Sequence, residues 1–502
     1  MPQENTTPLV LSVDAGGTRV KVALIDTTGT IVAQGNAQVE TTHYRNGQVE
    51  RDPEAFWAAT AQAIRGLMTD DVKARLSAIG CTGFGNGIFL VDAQGQPTRA
   101  GIVSVDHRAQ PLVDRVTAAG QAETLGAMNG HRPWGGQTLM QLAWLAEIEP
   151  EVMAKTAWGL ACKDFIRFRL TGEAFTDPSD ASGGGLMNLQ RQEYCTEAFD
   201  LLAAHIRPET DLLAKLPPIR PSSGVAGRVS AAAAAETGLP EGLPVAGSMM
   251  DVAACALGAG VTSRDRMVMI AGTWAINTME VRDTAPDVLP LLNMVYRDGA
   301  SRLAAEGSPS SAANLGWYIE RALEGRISVT EALDIAARCD VTAERCYFLP
   351  YVNGPSPKEG AFLRLHATDT KSTMIRAICE GVAFQHRRHA EELLPHSAGQ
   401  WPQAIRLTGG AARSPLWSQI FADTCNRPVE VVDAEEVGAL GAAICAAVAA
   451  GLFPDLRAAA AAMSRVSRVH EPNADHVAVL QGRYAEFLRL DEGMRQLLIA
   501  AH

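Results

Sequence analysis

Apolar positions along this chain come in short runs broken by small and polar residues. Residues 9–13 are mostly apolar, residues 20–25 again so, and Asp14-Ala15-Gly16-Gly17-Thr18-Arg19 lies between them. Two short apolar runs around a Gly-rich break predict strand, tight turn and strand. Asp52-Pro53 then opens a helical pattern reaching about residue 68, and strands are expected over 76–82 and 89–91. Helices alternate with loops through residue 170, and the Pro- and Ser-rich stretch 216–224 reads as a loop. A strand end at Val245-Ala246-Gly247 leads into Ser248-Met249-Met250-Asp251 and a helical run over 252–257.

The opening theme then returns. Residues 266–270 are apolar, Ala271-Gly272-Thr273-Trp274 forms a small-residue break, and 275–281 leads away. A repeated hairpin with a Thr in its turn suggests two similarly folded lobes. Further on, a strand over 405–408 ends in Gly409-Gly410-Ala411-Ala412-Arg413-Ser414-Pro415, which opens a helix over 416–424. A strand follows over 428–432. Gly438-Ala439-Leu440-Gly441-Ala442-Ala443 begins a helix of small residues that must pack closely, and Gly451 is its stop signal. The Ala-rich segments near Ala231 and Ala458 read as helices.

Bulk properties narrow the classes. A chain of 502 residues suggests at least two domains, and 47% hydrophobic with 20% charged residues is a globular balance. A net charge of −12 argues against nucleic-acid partners. The nine cysteines form no Cys-x-x-Cys pair, which reads as reduced thiols in a cytoplasmic protein. Residues 1–8 are polar and lack a basic-then-apolar leader, and no apolar run is long enough to span a bilayer, so no membrane partner is expected.

Chemistry concentrates in the turns. Gly16 and Gly17 let the backbone approach a bulky anion, Thr18 and turn N–H groups can donate to phosphate, and Lys21 adds positive charge. Asp14 beside them can help hold Mg²⁺, usually through water. This is not a Walker A loop, which needs a different spacing before a helix. The Gly272-Thr273 and Gly409-Gly410 turns suit a nucleoside triphosphate equally well, with a helix N-terminus near the adenosine. Phosphoryl transfer needs positioning, charge stabilisation and a base for the hydroxyl proton. Asp251 has no basic residue near it in sequence and is the candidate base. His386 and His389 have a metal-binding spacing, but with Arg387 and Arg388 between them they read as a solvated helix face. The basic stretch 163–169 reads as a helix surface.

These residues, in this order, resemble the FGGY family of carbohydrate kinases. The likeness covers Asp14 to Lys21, Gly47-Gln48-Val49-Glu50-Arg51-Asp52-Pro53, Ser104-Val105-Asp106-His107-Arg108, residues 163–172, Thr176-Asp177 and Asp251. It continues through Gly272-Thr273, Glu380-Gly381, residues 408–414 and residues 438–443. Within the family the chain looks most like the L-xylulose kinase branch. The resemblance implies an α/β fold of two ribonuclease-H-like (actin-like) lobes with an active-site cleft, divided as 1–256 for the sugar and 257–502 for the nucleotide. It implies ATP and Mg²⁺, a small sugar or polyol as substrate, and a homodimer as the default assembly. Asp251 falls at the family's catalytic base. Thr18, Lys21, Gly272 and Thr273 match phosphate-side positions, Gly409, Gly410 and Ser414 the adenosine side, and Asp14 the metal-side carboxylate. Asn86 and Asp106 fall where the family contacts sugar. Arg364 and Cys379 depart from the family's C-terminal signature, Arg364 standing where Gly is usual. Kinases for other polyols, and a non-catalytic sugar- or ATP-binding relative, are the competing readings. Asp251 argues against the non-catalytic one, being needed only for chemistry. A nicotinamide dehydrogenase fails for want of Gly-x-Gly-x-x-Gly.

Overall fold

The computed structural model describes residues 7–285, 288–343, 345–352, 359–434 and 436–500. Most of the polar stretch 1–8 therefore lies outside the described residues. The chain forms two compact units. The first holds the chain up to Thr262, together with Glu280–Ala304 and Glu436–Arg465.

In the first unit, Leu9–Ala15 (β1), Arg19–Asp26 (β2), Ile31–Gln38 (β3), Leu76–Gly83 (β4), Val225–Arg228 (β5) and Pro244–Ala246 (β6) form one sheet. Its order is β5-β6-β4-β1-β2-β3. β1 and β2 are the expected hairpin, with Asp14 opposite Lys21. β4 runs parallel to β1, with Asp14 beside Thr82 and Ala15 beside Gly83. Leu9, Leu11, Val13 and Ala15 point into a core with Phe56, Trp57, Ile64, Phe165 and Ile166. Period-2 alternation sends Ser12 to the opposite face. There Gly80, in register with Ser12, leaves room for a helix: a Cβ on Gly80 would lie 2.1 Å from the Ala442 carbonyl oxygen.

That helix, Val437–Ala449, is the small-residue segment read from the sequence, and it belongs to the first unit rather than to the C-terminal half around it. It packs on helix Asp251–Gly258 at backbone distance. A Cβ on Gly441 would fall 1.9 Å from the Ala254 carbonyl oxygen. This long-range packing is why the division at 256/257 follows the compact units only in part.

The second unit comprises Ser263–Met279, the described residues from Ala305 up to 434, and those from Val466 onward. Arg266–Ala271 (β7), Ala275–Val281 (β8), Ser301–Ser308 (β9), Ala404–Thr408 (β10), Val429–Val432 (β11) and Val466–His470 (β12) neighbour one another in the order β9-β8-β7-β10-β11-β12. β7 and β8 form the second hairpin, β10 runs parallel to β7, β11 parallel to β10, and β12 antiparallel to β11. The first sheet has the same plan: hairpin, parallel strand, parallel strand, antiparallel edge. The repeated hairpin of the sequence thus marks a repeated topology.

Two surface readings are corrected. Lys163 and Arg167 of helix Cys162–Thr171 are buried, not on its outer face. Lys163 pairs with Asp164, Asp177 and Asp180 at 2.6, 2.9 and 2.9 Å. His386 and His389, on helix Lys371–Leu393, are also buried. That helix is enclosed along much of its length, and Arg387 and Arg388 turn to the acids Glu391, Glu392 and Asp491 instead. No helix among the described residues is long and apolar enough to cross a membrane.

Candidate active site

The first turn sits at the end of β1. Gly16 N–H donates to the Arg19 carbonyl at 2.9 Å, closing it. A Cβ on Gly17 would meet no atom within 4 Å, so this glycine leaves open the space in which a bulky anion could approach the backbone. Lys21 follows on β2 and is ion-paired with Glu436 at 2.6 Å. Glu436 immediately precedes helix Val437–Ala449, and sequence reasoning missed it. Its only signal was an acid two residues before the Gly438 motif.

Asp14 lies beneath the start of that helix. A Cβ on Gly438 would stand 3.3 Å from Asp14 Oδ2. Burial pushes the Asp14 carboxyl up to about 6, Lys21 opposing the rise and Glu436 adding to it. A half-buried acid with so little neutralisation suits a hydrated divalent cation. No cluster of three or more His, Cys, Asp or Glu residues arranged to hold a metal occurs among the described residues. Asp14 would therefore share a cation with phosphate oxygens and water rather than complete a protein cage.

Asp251 is the first residue of helix Asp251–Gly258, and its carboxylate accepts from Val252 N–H at 2.7 Å. The segment before it is tightly held. Ser248, at φ 60°, accepts from Cys81 N–H at 3.1 Å through its Oγ, Thr82 donates to the Met249 carbonyl, and Met250 N–H donates to Ser179. Burial first, and then the charge of Asp14, raise the Asp251 carboxyl to about 7. That value suits a general base at neutral pH, and the influence of Asp14 on Asp251 puts the two acids near one another.

Asn86 reaches the same neighbourhood. Gly85 abuts Met250, where a Cβ would fall 2.0 Å from the methionine Cε. Asn86 has φ 63° and is buried, so it is a genuine left-handed turn residue. Its Oδ1 accepts from Thr138 N–H at 3.2 Å, leaving the amide nitrogen for a ligand. Asp106 behaves otherwise. It is fully buried, and its carboxylate accepts from Val49 N–H at 2.6 Å and from Arg108 through N–H, Nε and Nη2 at 2.8, 3.0 and 2.8 Å. A carboxylate so saturated has no lone pair left for a sugar. It orders the Val49–Arg51 strand instead.

The second unit carries the other two turns. A Cβ on Gly272 would also meet nothing within 4 Å, and Ser311 N–H ties the Thr273 carbonyl at 3.1 Å. Gly409, at φ 87°, packs on the end of β7, where a Cβ would lie 2.7 Å from the Ala271 carbonyl carbon. This brings the Gly272-Thr273 and Gly409-Gly410 turns together within the unit. Ser414 caps helix Pro415–Cys425, its Oγ accepting from Trp417 N–H at 3.3 Å. The hydroxyl thus serves the helix directly.

A sheet repeated in two units, a glycine-walled turn in each and a poised carboxylate beside the first define a phosphotransferase of the actin-like type. The chain matches the FGGY family of carbohydrate kinases over both of its domains, the N-terminal one at residues 9–258 and the C-terminal one at 267–450, and it belongs to that family. It is 30% identical to a probable L-xylulose kinase of Pasteurella multocida, covering 97% of this chain and 99% of the other. It is 29% identical to the L-xylulose/3-keto-L-gulonate kinase of Escherichia coli, covering 96% of each. The crystal structure of a xylulose kinase from Rhodospirillum rubrum superposes with a TM-score of 0.85 at 26% identity, covering 98% of this chain and 99% of that one. The protein is an ATP-dependent sugar kinase.

Proposed function

We propose that this kinase transfers the γ-phosphate of ATP to a hydroxyl of a small ketopentose, L-xylulose being the leading candidate. The names of the two relatives above support the sugar, and the environment of Asp251 supports the chemistry. Its carboxylate accepts the hydroxyl proton as the oxygen attacks the γ-phosphorus, and the transferred group leaves ADP. Held near neutrality by burial, it is basic enough to take that proton and acidic enough to be ionised beforehand.

The N-terminal half serves the sugar and the C-terminal half the nucleotide. Gly17 and Thr18 in the first turn, and Gly272 and Thr273 in the second, contact phosphate oxygens through N–H and hydroxyl groups. Lys21 exchanges Glu436 for phosphate. Gly409 and Gly410 shape the wall beside the adenosine, and Ser414 keeps the following helix N-terminus in place there. Asp14 would hold Mg²⁺ through water, supplying charge neutralisation at the β- and γ-phosphates. Asn86 donates its amide N–H to a sugar hydroxyl, while Asp106 stiffens the strand behind the pocket.

The test is ATP consumption by the purified protein over a panel of pentuloses, pentitols, tetritols and gluconate. L-Xylulose should give the highest kcat/KM. A polyol or sugar acid preferred over every pentulose would overturn the ketopentose assignment.

A further inference from the structure

The motif Gly47-Gln48-Val49-Glu50-Arg51-Asp52-Pro53 has so far no task. The structure gives each of its later residues one. Val49 N–H donates to Asp106, and Glu50 accepts from Arg108 Nη2 at 2.9 Å. Asp52 caps helix Pro53–Arg65, accepting from Glu54 and Ala55 N–H at 2.8 and 3.0 Å. Between these anchors Arg51 is turned inward and almost fully buried. Its guanidinium lies near the rings of Phe56 and Phe84, 5.0 and 5.4 Å from their centroids. Among the described residues its polar edge meets no acid. Nη2 donates to the Gly17 carbonyl and, at 3.2 Å, to Thr41 Oγ1, and Nη1 donates to the Gly16 carbonyl at 3.4 Å.

We infer that Arg51 is a positioning residue for phosphate: it grips the two carbonyl oxygens of the Gly16-Gly17 turn and so aims the N–H groups of Gly17 and Thr18 at the nucleotide. The inference rests on the first turn being a phosphate turn. A trans peptide is planar, with its C=O and N–H pointing in opposite directions. The Gly16 carbonyl shares a peptide with Gly17 N–H, and the Gly17 carbonyl with Thr18 N–H. Drawing both oxygens toward Arg51 therefore turns both hydrogens away from it. Among the described residues neither N–H has a hydrogen-bond partner. Two adjacent free donors, backed by a buried cation, form an anion nest. An unbacked diglycine turn would sample many orientations and lose that aim.

Arg51→Lys and Arg51→Met test this by steady-state kinetics, with ATP and sugar varied separately. Lysine keeps the charge and the apolar stem but cannot bridge two carbonyls. Both variants should raise the KM for ATP by about tenfold or more, as expected for loss of aligned donors, with the KM for sugar within about twofold of wild type. Arg51→Lys decides the matter if Arg51→Met fails to fold. A folded Arg51→Lys with an unchanged KM for ATP overturns the inference. So does a parallel rise in both KM values with a lowered Tm, the mark of a merely structural residue. Gly17→Ala and Thr18→Val are measured alongside. If they too leave the KM for ATP unchanged, the phosphate-turn reading itself falls; if they raise it while the Arg51 variants do not, only the role of Arg51 is lost.

Discussion

The carboxylate of Asp251 starts a helix, accepts a backbone N–H and feels a second acid, Asp14. Because its proton affinity is raised, the ionised base is lost on acidification earlier than for an ordinary aspartate. Activity should therefore fall as pH drops through about 7. Asp14→Asn removes one of the two causes, so in the activity that variant retains, the acid limb should move to lower pH. A kcat/KM profile that is flat between about pH 6 and 8 would contradict this account. Asn86 makes a different claim at the same scale. Its Oδ1 already holds Thr138 N–H, so only its amide nitrogen is left to read the sugar. Asn86→Ala should lower kcat/KM for the true sugar by roughly ten- to a hundredfold and flatten the ranking of epimeric pentuloses, with the KM for ATP little changed. An unchanged ranking would leave Asn86 as a turn residue.

At the scale of elements, Glu380 on helix Lys371–Leu393 shows what holds the second unit. It is fully buried and meets Arg345, Arg376 and Arg483, the last two at 2.9 and 3.0 Å. Burial alone would raise its carboxyl, but the three guanidinium groups overcome that and hold it at about 2. A depressed pKa contributes stability that is present above the unfolded value and lost as pH falls through the folded one, here between about 4 and 2. Glu380→Gln takes the acid from two buried cations and one half-buried one and should cost about 3–5 kcal/mol in denaturant unfolding at pH 7. A loss below about 1 kcal/mol would show the cluster to be dispensable. The same helix shows what sequence could not reveal. Its charged and histidine positions look amphipathic, yet His386 is buried, its Nδ1 donating to Asn277 Oδ1 at 2.7 Å and its Nε2 hydrogen-bonded to Ser311 Oγ at 2.9 Å. Those partners lie far away in sequence, so no local pattern announces them. Lys163 and Asp106 have charged neighbours close in sequence, Asp164 and Arg108, but their burial also rests on Asp177 and Asp180 for the one and Val49 N–H for the other, which no local pattern announces. By contrast, both hairpins, the cap at Asp52-Pro53 and the helix after Ser414-Pro415 depend on adjacent residues and were legible. Arg364, noted where glycine is usual, does adopt φ 55°, the conformation glycine favours.

For the whole molecule, repetition carried most of the meaning. Two hairpins with small turns announced two sheets of one plan, and the acid that follows the strand end Val245-Ala246-Gly247 is the base we propose. The return of helix Val437–Ala449 to the first unit was not legible, because its glycines say only that something packs closely, not what. That helix sets Gly438 against Asp14 and Glu436 against Lys21, so the surroundings of Asp14 draw on residues from both ends of the chain. The central claim is that Asp251 removes the sugar proton during phosphoryl transfer from ATP. The most direct test compares Asp251→Asn with wild type in kcat on the preferred pentulose and in ATP affinity by titration calorimetry. General-base catalysis predicts a loss of roughly 10²–10⁴-fold in turnover with ATP binding nearly intact. A folded Asp251→Asn enzyme that keeps more than about a tenth of wild-type turnover would contradict it.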